Sequence, residues 1–165
     1  MTNLSLRLGR PLILALAGLL VVLAVAGLWI GAQERDAQAR ADERRAALDA
    51  AGAHAVSLLS LHYKTVDADA RRILDTSTGA AREEYEANLG RLKSTTVANK
   101  VVQDGVLRAT GLVSLTGSAA KVLVVADVDI RWEGSKTPPQ DRFYRWSMDL
   151  TKVGGVWLVS KAVQV

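Results

Sequence analysis

The sequence predicts an α+β protein in which helices come first and a curved antiparallel sheet follows and packs on them. Three observations predict it. Pro11 to Ala32 carries no charged residue. From Gln33 the chain turns polar, with Ala, Glu, Gln and Arg and neither Gly nor Pro as far as Asp49. After Lys100 the apolar residues stop recurring at helical spacing and begin to alternate.

A helix rises about 1.5 Å per residue, so about 20 apolar residues match a hydrocarbon core of about 30 Å. Residues 11–32 are therefore expected to cross a membrane once, leaving 1–10 as a short stub. Arg7 and Arg10 precede the run, whereas Glu34, Arg35 and Asp36 follow it. The positive-inside rule then places the N-terminus in the cytoplasm and the body of the protein outside the plasma membrane. Trp29 falls near the outer end, where an indole prefers the interface. Ala24-Val25-Ala26 offers an A-x-A-like cleavage site, but the run is longer than the apolar part of a signal peptide, about 7–15 residues. A retained anchor is the reading that follows.

Residues 33–46 contain only alanine as an apolar type, which describes a solvated helical stalk. The extracytoplasmic α+β domain is expected over 47–165. It opens with the stripe Leu48, Ala51, Ala55, Leu58, Leu59 and His62. Thr65-Val66-Asp67 then caps a short helix over 68–74, and Asp75 to Gly79 reads as a turn. Ala81, Tyr85, Leu89 and Leu92 mark a second helix from Ala80, prolonged toward Asn99.

In the first long strand, Leu107, Ala109, Gly111, Val113 and Leu115 are expected on one face. After Thr116-Gly117-Ser118, residues Val122, Val124, Ala126, Val128, Ile130 and Trp132 share a face. A loop follows over 134–140. Tyr144, Trp146, Met148 and Leu150 alternate with polar neighbours, Gly154-Gly155 fits a two-residue hairpin, and 156–165 is the last strand.

Composition excludes several chemistries. The chain has no cysteine, hence no disulfide, thiolate metal site or cysteine nucleophile. Its net charge of +4 is scattered among acids rather than gathered in a stripe, so no nucleic-acid partner is expected. His54 and His62 lie eight positions apart on one expected helix, about 12 Å along its axis, too far to share a metal. Asp127 and Asp129 alternate with apolar residues beside Arg131 and read as a solvated strand face rather than an acid–base pair. Asp67 and Asp69 read as first-turn and capping charges. Trp132, Trp146 and Trp157 fall on apolar faces and read as core. On the inward strand faces Tyr144 is the one titratable group, which predicts a packed core or at most a pocket for an apolar ligand. No phosphate loop, nucleophile elbow or HExxH occurs. Catalytic, cofactor-binding and metal-ligating residues are thus all expected to be none.

The order of LLSLHYKTVDADARRIL at Leu58 to Leu74, Thr78-Gly79, Glu84-Tyr85, the run Val106 to Ala126 and the terminal Gly155-Val156-Trp157-Leu158-Val159 resembles the Mce-associated membrane proteins of actinobacteria. The resemblance implies a cone-shaped domain of the NTF2-like and VirB8-like kind. It implies accessory work: stabilising a complex that moves lipids across the cell envelope. The partners it implies are Mce-complex proteins (permease and Mce subunits) or other envelope membrane proteins, with membrane lipid around the anchor. The same cone could instead serve as a small-ligand-binding or enzymatic domain, or as a VirB8-like component of a secretion apparatus.

Overall fold

The computed structural model describes residues 9–165, with side chains throughout 37–165 and at Leu19, Leu20, Leu23 and 33–35. The expected stub lies outside the described residues except for its last two positions. Among the side chains described, no helical stretch is long and apolar enough to cross a membrane. The expected membrane run lies outside them save at those three leucines.

Helix α1 runs Gly9–Leu59. The chain divides into two compact units, Met1–Asp42 and Glu43–Val165. In the first, Gln38 Nε2 donates to Asp42 Oδ1 one turn on, at 3.1 Å. The second contains the rest of α1 and a five-stranded antiparallel meander: β1 (Leu61–His62), β2 (Val101–Thr116), β3 (Ala119–Trp132), β4 (Gln140–Val153) and β5 (Val156–Gln164), in that spatial order. Between β1 and β2 come α2 (Val66–Asp75) and α3 (Gly79–Ala98).

The face of α1 that meets the sheet is built from Ala47, Ala51 and Ala55, all fully buried, with Leu48 and Leu58 flanking them. Short side chains let the helix axis come close to the strands. Beneath them lie Val122, Val124, Met148, Leu150, Trp157 and Val159. Leu59 closes a second cluster with Ala126, Val128 and Ile130. The expected β3 face is therefore the centre of the core. Glu43 fastens α1 to the last hairpin. Its carboxylate accepts from Lys152 Nζ and, at 3.1 Å, from Trp157 Nε1, and these bonds hold its pKa below the usual carboxylate range.

Three expectations need correction. His62 is not on α1: the helix stops at Leu59, and Leu61 and His62 pair with Gln103 and Val102 of β2. The two histidines therefore do not share a helix. The expected β2 face also breaks. Register shifts between Leu107 and Ala109 and between Leu112 and Ser114 insert an extra residue twice. Each bulge moves the following side chains to the other side. Paired to the inward residues of β3 are Gly105, Leu107, Thr110, Leu112 and Leu115, not Ala109, Gly111 or Val113. Finally, Thr65 makes no side-chain cap to α2, and Asp69 is no exposed dipole charge. Asp69 is 3% exposed and accepts from the His62 backbone N–H at 2.9 Å, the Thr65 hydroxyl at 3.0 Å and Arg72 Nη2 at 2.7 Å. It ties β1 to α2, a role a sequence pattern cannot distinguish from capping. Asp67, by contrast, is an exposed partner of Lys93 on α3 at 2.6 Å.

The free edge of β5 is covered by the α2–α3 connection. Thr78 N–H donates to Val159 O at 2.8 Å, and Val159 N–H donates to Thr76 O at 3.0 Å. Such cover removes an edge that could template aggregation. The hairpin glycines Gly154 and Gly155 have φ of 58° and 88°, the left-handed values a primed two-residue turn requires.

Where α1 ends, it almost touches β2. A Cβ on Gly105 would stand 2.5 Å from Leu59 Cβ and 3.2 Å from its carbonyl carbon. Gly105→Ala is expected to destabilise the domain by about 1–3 kcal/mol, as overpacking does. Gly52→Ala should be far milder, because its one tight contact would be the mobile end of Leu107, 2.7 Å away, with Thr110 Cγ2 in ordinary contact at 3.6 Å. Urea denaturation of both variants checks the ranking; equal losses would show that the backbone at Gly105 yields freely.

Candidate binding cleft

Helix α3 is long but buries a single residue, Thr96. Its other contacts with the domain leave a gap. One face of the helix, with Ala81, Glu84, Tyr85, Asn88, Arg91, Leu92 and Thr95 at helical spacing, lines a cleft of about 550 Å³. The opposite walls are His54 and Leu58 of α1, Ile73 of α2, Trp146 of β4 and Ala162 of β5. The size is that of a small-molecule site.

His54 is the cleft's innermost polar group, 2% exposed. Its Nδ1 lies 2.8 Å from Thr76 Oγ1. That hydroxyl stands 3.0 Å from both Arg72 O and Ile73 O, and its one proton goes to these carbonyls. With the Thr76 proton on these carbonyls, Thr76 accepts from the ring; this assignment puts the imidazole proton on Nδ1 and leaves Nε2 unprotonated. Burial pushes the imidazole pKa down to about 4, and the ring is neutral at neutral pH.

Tyr85 stands nearly two turns into α3. Its hydroxyl is buried and has no hydrogen-bond partner. Burial first, and the Asp69 charge second, push its pKa up to about 12, so it stays a phenol and a donor. Trp146 stacks on Tyr144, with ring centres 5.0 Å apart. At the outer end Arg91 Nη2 donates to Asn88 Oδ1 at 3.0 Å, and Asn88 Nδ2 donates to Glu84 O at 2.8 Å.

Tyr144 is the titratable group of the inward strand faces; His54 and Tyr85 add two more from helices, which strand alternation does not report. Trp157 is core as expected; Trp146 packs on both core clusters and also walls the cleft, and Trp132 packs half-buried on the second cluster. Asp127 and Asp129 are on the outer face as expected. Arg108 pairs with Asp127 at 2.5 Å; Arg131 pairs with Asp129 at 2.9 Å and also with Asp104. His62 is distant in role: its Nδ1 accepts the Lys64 N–H at 3.0 Å. Among the described residues no three His, Asp or Glu converge to hold a metal.

Residues 11–165 match the family described as Rv1363c/MT1408-like. The chain belongs to that family. One relative, Rv1363c of Mycobacterium tuberculosis strain H37Rv, is 31% identical over an alignment covering 96% of this chain and 62% of the relative. The chain thus spans about three fifths of that protein's length. Solved structures share the fold at low identity. The periplasmic domain of DotI aligns with a TM-score of 0.59 at 16% identity, over 72% of this chain and 91% of that domain. Agrobacterium tumefaciens VirB8 gives 0.56 at 12%, over 71% and 88%. The β subunit of benzoate 1,2-dioxygenase from Burkholderia mallei gives 0.51 at 10%, over 62% and 81%. The fold of this family member is therefore the NTF2-like and VirB8-like one, with helices on a curved antiparallel sheet.

His54 makes stability depend on pH. In the unfolded chain the imidazole titrates near 6.5, in the native domain near about 4. Between these values the unfolded state holds the extra proton, so stability falls as pH drops from 6.5 toward 4 and this contribution is complete above 6.5. The loss is on the order of 2–3 kcal/mol across that window. His54→Asn, whose amide can reach Thr76 in place of Nδ1, should flatten the curve. Urea midpoints from pH 7.5 to 4.5 check it, and an equally steep variant curve would refute the assignment.

Proposed function

We propose that this protein is a single-pass membrane accessory subunit of an envelope complex, of the Mce-type lipid-transport class, and that it works by binding protein partners. The observation that carries the reading is the uncharged run 11–32, which lies within α1 and precedes the folded domain in the chain. Arg7 and Arg10 favour a cytoplasmic N-terminus with the domain outside the plasma membrane. DotI, whose similar domain is described as periplasmic, is consistent with a cone working in that compartment. Partners would be the permease and Mce subunits, or other envelope membrane proteins, with lipid around the anchor. An anchor confines the domain near them, and tethering makes weak contacts effective because local concentrations reach the millimolar range.

In this reading the domain is not an enzyme. His54 has too low a pKa to act as a strong base, and its Nδ1 is committed to Thr76. Tyr85 stays protonated. Asp127 and Asp129 are paired with arginines on the outer sheet face. The likeness to VirB8 keeps one alternative, a component of a secretion apparatus; the proteins that co-purify in mild detergent separate the two.

Topology is tested with single cysteines at Ser5 and at Ser135, which lies exposed between β3 and β4. An impermeant thiol reagent on intact cells should label position 135 and not position 5; the reverse pattern overturns the orientation. Replacing residues 1–32 by a cleavable signal peptide should release a folded domain that no longer supports lipid uptake or the levels of its partners. Full function from the released domain would sink the subunit model. Asp127→Asn and Asp129→Asn should each leave that function intact, since neither carboxylate is assigned chemistry.

A further inference from the structure

The cleft is wide enough to hold a ligand, its walls are mostly apolar, and two of its polar groups have hydrogen-bonding capacity that the protein does not use. Leu58, Ile73, Ala81, Leu92, Trp146 and Ala162 supply the apolar surface. A buried hydroxyl without a partner is a standing penalty of about 1–3 kcal/mol, and native domains carry few of them. Tyr85 is the one buried side chain among the described residues with such an orphan atom, and it lines this cleft. His54 also faces the cleft, with Nδ1 consumed by Thr76 and Nε2 left as an acceptor. Tyr85 and His54 thus both line the cleft with polar capacity to spare.

We propose that this cleft binds a small, uncharged, mostly apolar molecule bearing a hydroxyl group. A hydroxyl is the simplest group that can accept from Tyr85 Oη and donate to His54 Nε2. A carbonyl could satisfy only the tyrosine. An ether or halide would leave the imidazole unpaired. A carboxylate would meet the tyrosine but would set its charge beside a neutral acceptor that offers it no donor. The mouth does not compensate, because Arg91 and Glu84 both line it and their charges oppose. The flat indole of Trp146 suits an aromatic or alicyclic body stacked against it. The binding mode is independent of the membrane-subunit reading: it requires the cleft alone, whatever complex the protein joins.

The test uses the full chain in lipid nanodiscs, because detergent would itself enter an apolar cleft. Three probes of one shape are compared by equilibrium dialysis against empty discs: 2-naphthol, 2-methylnaphthalene and 2-naphthoate. Saturable binding of one 2-naphthol per chain is expected, with 2-methylnaphthalene about 5–10-fold weaker, the effect of one or two net hydrogen bonds. Tyr85→Phe should weaken 2-naphthol by a similar factor and leave 2-methylnaphthalene unchanged, while the fold is retained because only an unpartnered oxygen is removed. Leu92→Trp, or Asn88→Trp at an exposed lining position that carries no folding burden, should block all three probes. The proposal is overturned by binding no greater than that of empty discs. It is also overturned by a Tyr85→Phe protein that binds 2-naphthol unimpaired. Preferential binding of 2-naphthoate that disappears in Arg91→Ala would make this an anion site and equally defeat it.

Discussion

The close approach of α1 to the concave face of the sheet is the constraint on which the rest of the domain rests. It is possible because the contact face of the helix is alanine at positions 47, 51 and 55, and because Gly105 leaves no Cβ where Leu59 arrives. Larger residues there would lift the helix off the strands and open the core around Val122, Val124 and Met148. Glu43 holds one end of the contact through Lys152 and Trp157, and Leu59 holds the other. The helix is thus fixed at both ends of its buried segment.

Fixing α1 has a consequence for α3. The core is already filled by α1 on the sheet, so α3 packs along the side of the domain, on α2 and the β5 edge, and buries only Thr96. The remaining face of α3 is left over a gap. That is why the cleft has one wall of helical residues with mixed polarity and another of core residues. His54 lies at the junction: its neighbours Ala51 and Ala55 are core, while its ring closes the bottom of the cleft. The same burial that lowers its pKa makes it a neutral acceptor there.

The outer surface is organised by a different principle. Two bulges interrupt β2 beyond its short pairing with β1, and Arg108 and Arg131 bridge from β2 and β3 to the acidic side chains around them. Exposed pairs of this kind contribute little stability, with a median of about 0–1 kcal/mol. Their effect is to keep a long, twisted sheet face charged and hydrated. A bulged, charged edge is a poor template for pairing with other chains.

How far the sequence could be read follows from the range of each interaction. The α+β class, the order of the elements, the β3 core face and the Gly154-Gly155 hairpin were legible, because periodicity and turn chemistry are local. The family resemblance correctly implied the NTF2-like and VirB8-like fold. The β2 face was misread because a bulge leaves no mark on alternation: Arg108 and Val113 look like ordinary strand residues until β3 is set beside them. His62 was drawn onto α1 by spacing, although pairing with β2 claims it for a strand. Asp69 and Asp67 are alike in the sequence, and only the arrival of the His62 backbone separates a buried tie from a surface charge. The cleft was invisible for the same reason. Its polar groups come from α1 and α3, far along the chain from Trp146 and Ala162, the strand residues they face, and no local pattern reports which helix faces will fail to meet. What the sequence determined by itself was the order and kind of the long helices and strands; which faces touch, which short segment joins the sheet, and which faces stay apart around a cavity were decided by tertiary packing, because burial and register depend on partners distant in the chain.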